Sequence, residues 1–523
     1  MRNRPIAAGG TNRWLILVTG IFGAFMSILD STIVNTAIPK VQAVFGADLH
    51  QATYVATGYT LAAGVVVSSS GFLANRFGIK RIYILSLASF TVGSALCGLA
   101  WNMPVLIVFR ILQGAGGAAL FPLTFSLVFA SFPPEQRGLA NGLFGIPVLF
   151  APAIGPTIGG YLVEFVDWRW IFYVNVPIGV VAVLMSIRFL RESPIQRDLP
   201  FDLRGFLIIS SGLALLLYGV SNLAYDGWSS LRTVSGPILL ALCLLALAIP
   251  IELRTARPLL DLRLFKLRNY WAGNLIIWIG TVGLFGASFL LPQYLQSLRG
   301  LDPYRAGLLL LPLGLAAMVG TIAGGILYNR VGPRTLIILG ALITVINTYK
   351  IGGWSTLYSP FAGVLPLLIL RGVTLPWMAQ NTNTVALQGI TGSALNGAST
   401  LITVARNVVA SLALAFLTNT LQTQRLIHQS DLFSQFSLHN PATLVLYNRL
   451  TATLVSHGES LGQARLAALA QMAQQVAQQA SALAFQDVYW IAATLTIPAI
   501  FLPLLLRPLR QTTRGAPAAM AAE

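Results

Sequence analysis

The sequence is poor in charge. Only 9% of its 523 residues are Asp, Glu, Lys or Arg, where a soluble domain carries about a quarter. So few charges cannot cover a globular surface with polar groups, which argues against a water-soluble fold. Disorder is excluded too, because its signature is low hydrophobicity, and 55% of this chain is hydrophobic. Cysteine is nearly absent. Cys97 and Cys243 both sit in apolar runs and provide neither a disulfide framework nor a metal site. The four histidines, His50, His428, His439 and His457, are scattered without ligand spacing. No HExxH helix, phosphate-binding Walker loop or GxSxG elbow occurs, and no nucleophile–base pair is legible. An enzyme is therefore not expected. The 33 basic residues exceed the 16 acidic ones and give a net charge of +17. In a soluble protein that excess points to nucleic acid; in a membrane protein it is read through the positive-inside rule, and no nucleic-acid partner is expected.

What the chain has is long apolar runs. About 20 residues suffice to cross a bilayer as a helix. Runs of that order recur, with short polar breaks, at 14–37, 51–74, 81–101, 104–131, 138–164, 169–190, 203–222, 234–253, 270–296, 305–328, 334–353, 360–386, 397–419 and 485–506. These fourteen segments predict an all-α integral membrane fold. Many contain glycine or proline. In lipid this is tolerated, because neighbouring helices satisfy the freed backbone groups and small residues allow close approach. No small-residue cleavage pattern follows the first run, so it reads as a retained helix. With the N-terminus inside, 21 of the 33 Lys and Arg fall in inner segments and 8 in outer ones, and Arg110, Lys350, Arg371 and Arg406 lie in or at the edge of spans. The bias predicts a multi-pass protein of the cytoplasmic (inner) membrane with both termini cytoplasmic.

The chain also repeats itself. Gly71, Asn75, Arg76 and Gly78 recur at the same spacing as Gly325, Asn329, Arg330 and Gly332. Each set closes an apolar helix and precedes a basic residue, Lys80 and Arg81 in one case and Arg334 in the other. On the helix map both sets follow the second span of a six-helix half, and parallel halves are a known transporter architecture. The expected organisation is a six-helix bundle over 1–197, two inserted helices over 198–258, a second six-helix bundle over 259–510, and a tail over 511–523. The second bundle carries a polar, Gln- and Ala-rich outer segment, 420–484. It reads either as a solvated helical hairpin or as a docking surface for an extracytoplasmic partner.

Ionisable groups inside spans are costly and are functional candidates by default. Among the acids Asp30 stands out, deep in the first span between Ile28, Leu29, Ile33 and Val34; the other fifteen lie in loops or near helix ends. Apolar surroundings disfavour the charged form of a carboxyl, so such a group can take up and give back a proton. Arg110 in the fourth span lies at a similar depth and is expected to tune Asp30. Gln113 follows one turn later, with Gly114, Gly116 and Gly117 behind it for close packing. Arg371 holds a related place in the second half, and Arg406 lies in the thirteenth span; both read first as packing or snorkelling residues. In the fifth span Pro156 removes a backbone donor, while Gly155, Gly159 and Gly160 give a smooth face. That combination suits either a rocking helix or a tight static crossing.

Taken together these residues resemble the major facilitator superfamily, and within it the fourteen-helix drug:proton antiporters of the EmrB/QacA type. The run from Leu29 and Asp30 through Asn35 to Pro39 resembles that branch's first-helix signature. Gly71 to Arg81 resembles the loop between helices two and three, and Arg110 to Gly114 the fourth-helix motif linked to proton coupling. Gly155-Pro156 with Gly159-Gly160 resembles the fifth-helix antiporter motif. Trp168 to Pro177 and Gly397 to Arg406 are also similar. The resemblance implies a major facilitator fold and a proton-coupled antiporter that exports lipophilic or cationic drugs and related small molecules. The alternative on the same scaffold is export of an endogenous lipid or metabolite. It implies proton coupling at Asp30 and Arg110, with Gly71, Asn75, Arg76, Gly78, Arg81, Arg330, Arg371 and Arg406 in gating or structural motifs. The energy source is a proton gradient rather than a cofactor. Candidate cavity polars are Asn35, Gln113, Asn141, Gln293, Tyr294 and Asn381. The long outer segment resembles members that work with a periplasmic adaptor. Where the family's loop carries Asp this chain carries Asn75, so a latch there rests on hydrogen bonding.

Overall fold

A computed structural model describes residues 13–47, 49–256, 258–435 and 441–507, and every regular element among them is helical. The expected tail over 511–523 lies outside the described residues. In chain order the helices are α1 (Arg13–Phe45), α2 (Leu49–Val67), α3 (Ser70–Phe77), α4 (Ile79–Gly98), α5 (Met103–Gly117), α6 (Leu120–Ser131), α7 (Pro134–Phe165), α8 (Trp170–Tyr173) and α9 (Asn175–Phe189). They continue with α10 (Leu203–Asp226), α11 (Gly236–Arg254), α12 (Arg268–Gln293), α13 (Pro303–Val331), α14 (Pro333–Trp354), α15 (Leu365–Ala386), α16 (Ser393–Gln435), α17 (Pro441–Ser456), α18 (Leu461–Thr496) and α19 (Pro498–Phe501). Twelve helical stretches among the described residues are long and apolar enough to span a membrane. A thirteenth is formed by α2 and α3 together, which meet at a 51° bend. The expected fourteen is not reached in that count; α12, with 26 residues, has the length for one more.

Lipid leaves a backbone no water to bond, so the segments close their own hydrogen bonds as helices. Their starts are marked in the sequence. The Asn102 side chain accepts from the Val105 amide at 2.9 Å, and Asp302 accepts from the Arg305 amide at 2.8 Å, each with a proline in the first turn. The repeat is equally visible. Gly78 and Gly332 both adopt positive φ, +96° and +87°, where the chain turns from one span into the next. Two residues on, Lys80 donates to the Ile187 carbonyl at the end of α9, and Arg334 donates to the Pro503 and Leu504 carbonyls after α19. Each half ties its second turn to its own last helix in the same way.

At the end that carries α3, one buried apolar cluster joins both halves and the inserted pair: Val67, Phe132 and Ala140 pack with Leu213 and Ala248 and with Ile277, Leu395 and Leu401. At the opposite end the clusters separate. Ile33, Val41, Met103 and Trp168 belong to one, all from the first half. Tyr294, Leu310, Ile351 and Tyr489 belong to the other, all from residue 290 onward. Among the described residues a shared apolar core joins the halves at one end only. α7 and α13 nevertheless meet along their length, with Gly142 against Thr321 and Gly307 against Thr157. α10 and α11 pack on each other and, with Ala415 of α16, form their own small core.

Two expectations about helix limits change. α16 does not stop near 419 but runs to Gln435, because the sequence after Gly397 contains no glycine or proline to break it. The Gln/Ala-rich stretch is the first half of α18, which continues into the last span; α17 packs back on it, so the outer segment is helical and hairpin-like, as one of its two readings has it. His428 of α16 meets Asp487 of α18 at 2.7 Å and ties these two extended helices together.

Candidate functional site: a buried ion pair and a separate cavity

Close backbone contact builds the first site. A side chain on Gly114 would run into the Tyr59 backbone of α2, and one on Gly93 of α4 would come within 2.8 Å of the Gln113 backbone. With no side chains there, α5 sinks between α2 and α4. Arg110 and Gln113, one turn apart on its inner face, then reach α1. Arg110 Nη1 donates to Asp30 Oδ2 at 2.6 Å. Asp30 Oδ1 accepts from Gln113 Nε2 and from Asn175 Nδ2 of α9, each at 3.0 Å. Arg110 also donates to Gln113 Oε1 at 2.7 Å and to the Val55 carbonyl at 3.1 Å, and its guanidinium lies 4.3 Å from the centre of the Tyr59 ring. Asn175 continues the network to Ser94, whose hydroxyl donates to the Phe172 carbonyl. Asp30 is 0% exposed and Arg110 1%.

Chemically this is a carboxyl group with both oxygens taken up by donors from α5 and α9. A buried pair of this kind is held because each charge satisfies the other and hydrogen bonds fill the rest. Taking either charge away leaves the partner stranded in apolar surroundings. α7 braces the same stretch of α1. Gly155 faces Thr32, and Gly159 faces Thr36 and Ile33, with no room for a side chain at either glycine; Gly160 is buried beside them. α7 runs through Pro156 as one helix.

A second constellation ties the sealed end. Asn75 Nδ2 donates to the Ser393 carbonyl at 3.2 Å, and Asn396 Nδ2 donates to Asn75 Oδ1 at 2.7 Å. Ser70 and Thr400 hydroxyls are 3.0 Å apart, and a side chain on Gly71 would come within 2.8 Å of Thr400. α3 is thus hydrogen-bonded to the start of α16 across the boundary between the halves. Arg76 donates to the Leu199 carbonyl. Glu192 accepts from the Lys80 amide at 3.0 Å and faces Arg81 at 3.6 Å, so it caps the N-terminus of α4 opened by Gly78. Arg330, the counterpart of Arg76, is exposed.

A cavity lies between α6, α12, α15 and α16. Its wall is mostly apolar, with Phe121, Ile277, Gly280 and Met378, and carries the polar groups Asn383 and Arg406. The Arg406 guanidinium sits 4.2 Å from the centre of the Phe121 ring, a contact across the two halves. The polar residues nominated from the sequence do not gather there. Asn35 is exposed and bonds its own helix at Ser31. Gln113 belongs to the ion-pair network. Gln293 is exposed at the end of α12, and Tyr294 is buried beside it, bonded to the Thr356 carbonyl and to Arg299. Asn381 is buried but bonds the Trp377 carbonyl of its own helix. The side chain of Asn141 lies outside the described residues. Arg371 is 1% exposed and bonds Thr348 and the Gly283 carbonyl.

Sequence reasoning missed several participants. Asn175 and Ser94 look like any polar residue of a span, and only the packing of α4 and α9 on α1 brings them to Asp30. Glu252 is a second buried acid, 1% exposed: its position near a helix end suggests exposure, but the chain after α11 folds back so that the Leu260 amide donates to it at 3.1 Å.

The pattern of the Major Facilitator Superfamily matches residues 20–414. The Multidrug export protein EmrB of Escherichia coli K12 is 30% identical over 492 residues, 92% of each chain. A Multidrug resistance protein B homolog of Mycobacterium tuberculosis is 34% identical over 402 residues, 76% of this chain and 74% of that one. An uncharacterized MFS-type transporter, YhcA of Bacillus subtilis, is 29% identical over 501 residues, covering 96% and 94%. Among solved structures the proton:xylose symporter XylE superposes with a TM-score of 0.58 at 14% identity, covering 94% of both chains. A human organic anion transporter does so at 0.57 and 13%, covering 94% of this chain and 100% of that one. At such identities these two likenesses speak for the fold alone.

Proposed function

The chain belongs to the Major Facilitator Superfamily, and from that premise we propose that it exports lipophilic small molecules, cationic drugs among them, across the cytoplasmic membrane in exchange for protons. It is a transporter and not an enzyme. Its relatives of similar length carry the names of multidrug export proteins, which supports the cargo class. In this reading residues 1–197 and 259–510 are the two rocking bodies and 198–258 an insert between them. The end sealed by α3 and α16 faces the cytoplasm, together with both termini, and the conformation is the outward-facing one. The projecting segment 420–484 offers a surface to a periplasmic adaptor.

The observation that carries the coupling is the Asp30–Arg110 pair, two opposite charges buried at 2.6 Å. A proton added to Asp30 cancels the attraction and leaves Arg110 held only by the Val55 carbonyl, Gln113 and the Tyr59 ring. Cargo and proton need not touch. Each has only to bind one of the two conformations better than the other. The test is a proteoliposome assay with an inside pH dye. Adding cationic drug on the cargo side releases protons with wild-type protein and none with Asp30→Asn, while both elute as folded monodisperse protein. Normal drug-driven proton movement by Asp30→Asn removes the ion pair from the mechanism. The same vesicles loaded with candidate lipids distinguish drug export from export of an endogenous lipid.

A further inference from the structure

The internal repeat sets Arg371 in α15 where Arg110 sits in α5, but the second half supplies no carboxylate. The position facing Arg371 on α12 is Gly283, and what the guanidinium receives there is the backbone carbonyl at 2.9 Å. Its second bond goes to the Thr348 hydroxyl at 2.8 Å. Both acceptors are neutral. No salt bridge to Arg371 occurs among the described residues, and Asp487, the acid that α18 carries, is taken by His428. Arg371 is nevertheless 1% exposed. A fully buried cation with no opposing charge is among the costliest arrangements a fold can hold.

Two buried hydroxyls on the helices that flank Arg371 also lack partners. Tyr489 of α18, 0% exposed, packs on Gly352 of α14, one turn past Thr348, and its Oη makes no hydrogen bond. Thr344, one turn before Thr348 on α14 and likewise 0% exposed, leaves its Oγ1 unbonded. The first half shows the contrast: Arg110 and the donors beside it meet a carboxylate, whereas Arg371 meets only neutral acceptors, and the Tyr489 and Thr344 hydroxyls meet none. From this we propose that the Arg371, Tyr489 and Thr344 cluster is a binding site for a small monovalent anion of the halide class, chloride at cellular composition. The anion takes the place that Asp30 fills in the first half. It stabilises the second half without carrying a transported proton, and this assignment stands whatever the cargo is.

The experiment uses the full-length protein in nanodiscs of zwitterionic lipid, with ionic strength held constant by exchanging sodium gluconate for sodium chloride. The thermal unfolding midpoint is expected to rise with chloride and to saturate, as it does when a ligand binds only the native state, and bromide is expected to substitute. Tyr489→Phe, which keeps the ring and removes one donor, should shift the chloride dependence about tenfold to higher concentration. Arg371→Met should abolish the dependence. A midpoint that does not change between gluconate and chloride in the wild-type protein overturns the proposal, and so does a chloride response that survives in both variants. If Arg371→Met does not fold, the wild-type titration and Tyr489→Phe decide alone.

Discussion

Asp30 and Arg110 provide a sharp energetic test, because their geometry fixes what each substitution leaves behind. In Asp30→Asn the remaining oxygen still accepts from Gln113 and Asn175, but an amide nitrogen now confronts Arg110 where Oδ2 stood at 2.6 Å. The guanidinium is stranded at 1% exposure. Removing one partner of a buried pair costs about 3–5 kcal/mol. Arg110→Met strands the carboxylate instead, at similar cost. In the double variant no charge remains, and the side-chain amide introduced at position 30 can donate to the Gln113 oxygen that Arg110 vacates. The two losses therefore should not add. The double variant is expected to fall short of the sum by about 3 kcal/mol, a factor of roughly 150 in the folded population. The assay is reversible unfolding in mixed micelles on the four proteins of the cycle. Losses that add to within about 0.5 kcal/mol, the behaviour of independent sites, would refute the argument that the pair holds the first half together.

Other consequences follow from the same structure. Asn75→Ala removes two hydrogen bonds between α3 and α16. At about 1 kcal/mol each the equilibrium constant favouring the sealed state falls about thirtyfold, readable as a longer distance between spin labels on the two halves at that end. Gly159→Val has no space against Thr36 and Ile33 and should push α7 off α1, cutting transport and thermal stability together. A binding assay showing unchanged cargo affinity and full transport would contradict the close contact. Glu252→Gln should stabilise the inserted pair at neutral pH by about 1 kcal/mol. Its Oε1 and Asp202 Oδ2, both unbonded, point into the same space beside Gly205, and an amide can donate to Asp202 where a second carboxylate repels it. A lower unfolding midpoint for Glu252→Gln would contradict that reading.

The ion pair was legible in one dimension because a charge inside an apolar run has no neutral explanation, and Gln113 came with it through helical spacing. The cavity was not legible, for a reason the structure makes plain. Polar residues in a lipid-embedded helix can satisfy themselves on their own backbone one turn back, as Asn35 does at Ser31 and Asn381 at Trp377. Polarity within a span therefore does not mark a cavity, and the wall that encloses one is mostly apolar. The repeated glycine motif fixed the position of the turn after the second span in each half. Its partners in α16, Ser393 and Asn396, lie more than 300 residues away in sequence and share no pattern with it. Glu252 illustrates the converse failure: closeness to a helix end suggested exposure, and the returning chain at Leu260 covered it.

The separation of the ion pair from the cavity constrains how coupling can work. Asp30 is bonded only to residues of the first half, while the cavity wall belongs mostly to α12 and α15 of the second. With cargo in that cavity, as proposed, proton and cargo do not share one carboxylate in this conformation. The connection that remains is mechanical, through the single span made of α5 and α6. α5 carries Arg110 at the ion pair, and α6 carries Phe121, which stacks on Arg406 at the cavity. The two helices meet at the Ala118–Ala119 break, so a shift of α5 when Arg110 loses its counter-charge is delivered to the cavity at one aromatic–guanidinium contact. A packed interior transmits such a displacement because it has discrete arrangements rather than continuous ones. Coupling strength should then depend on the stiffness of that break and of the Phe121–Arg406 contact, and not on the affinity of Asp30 for cargo.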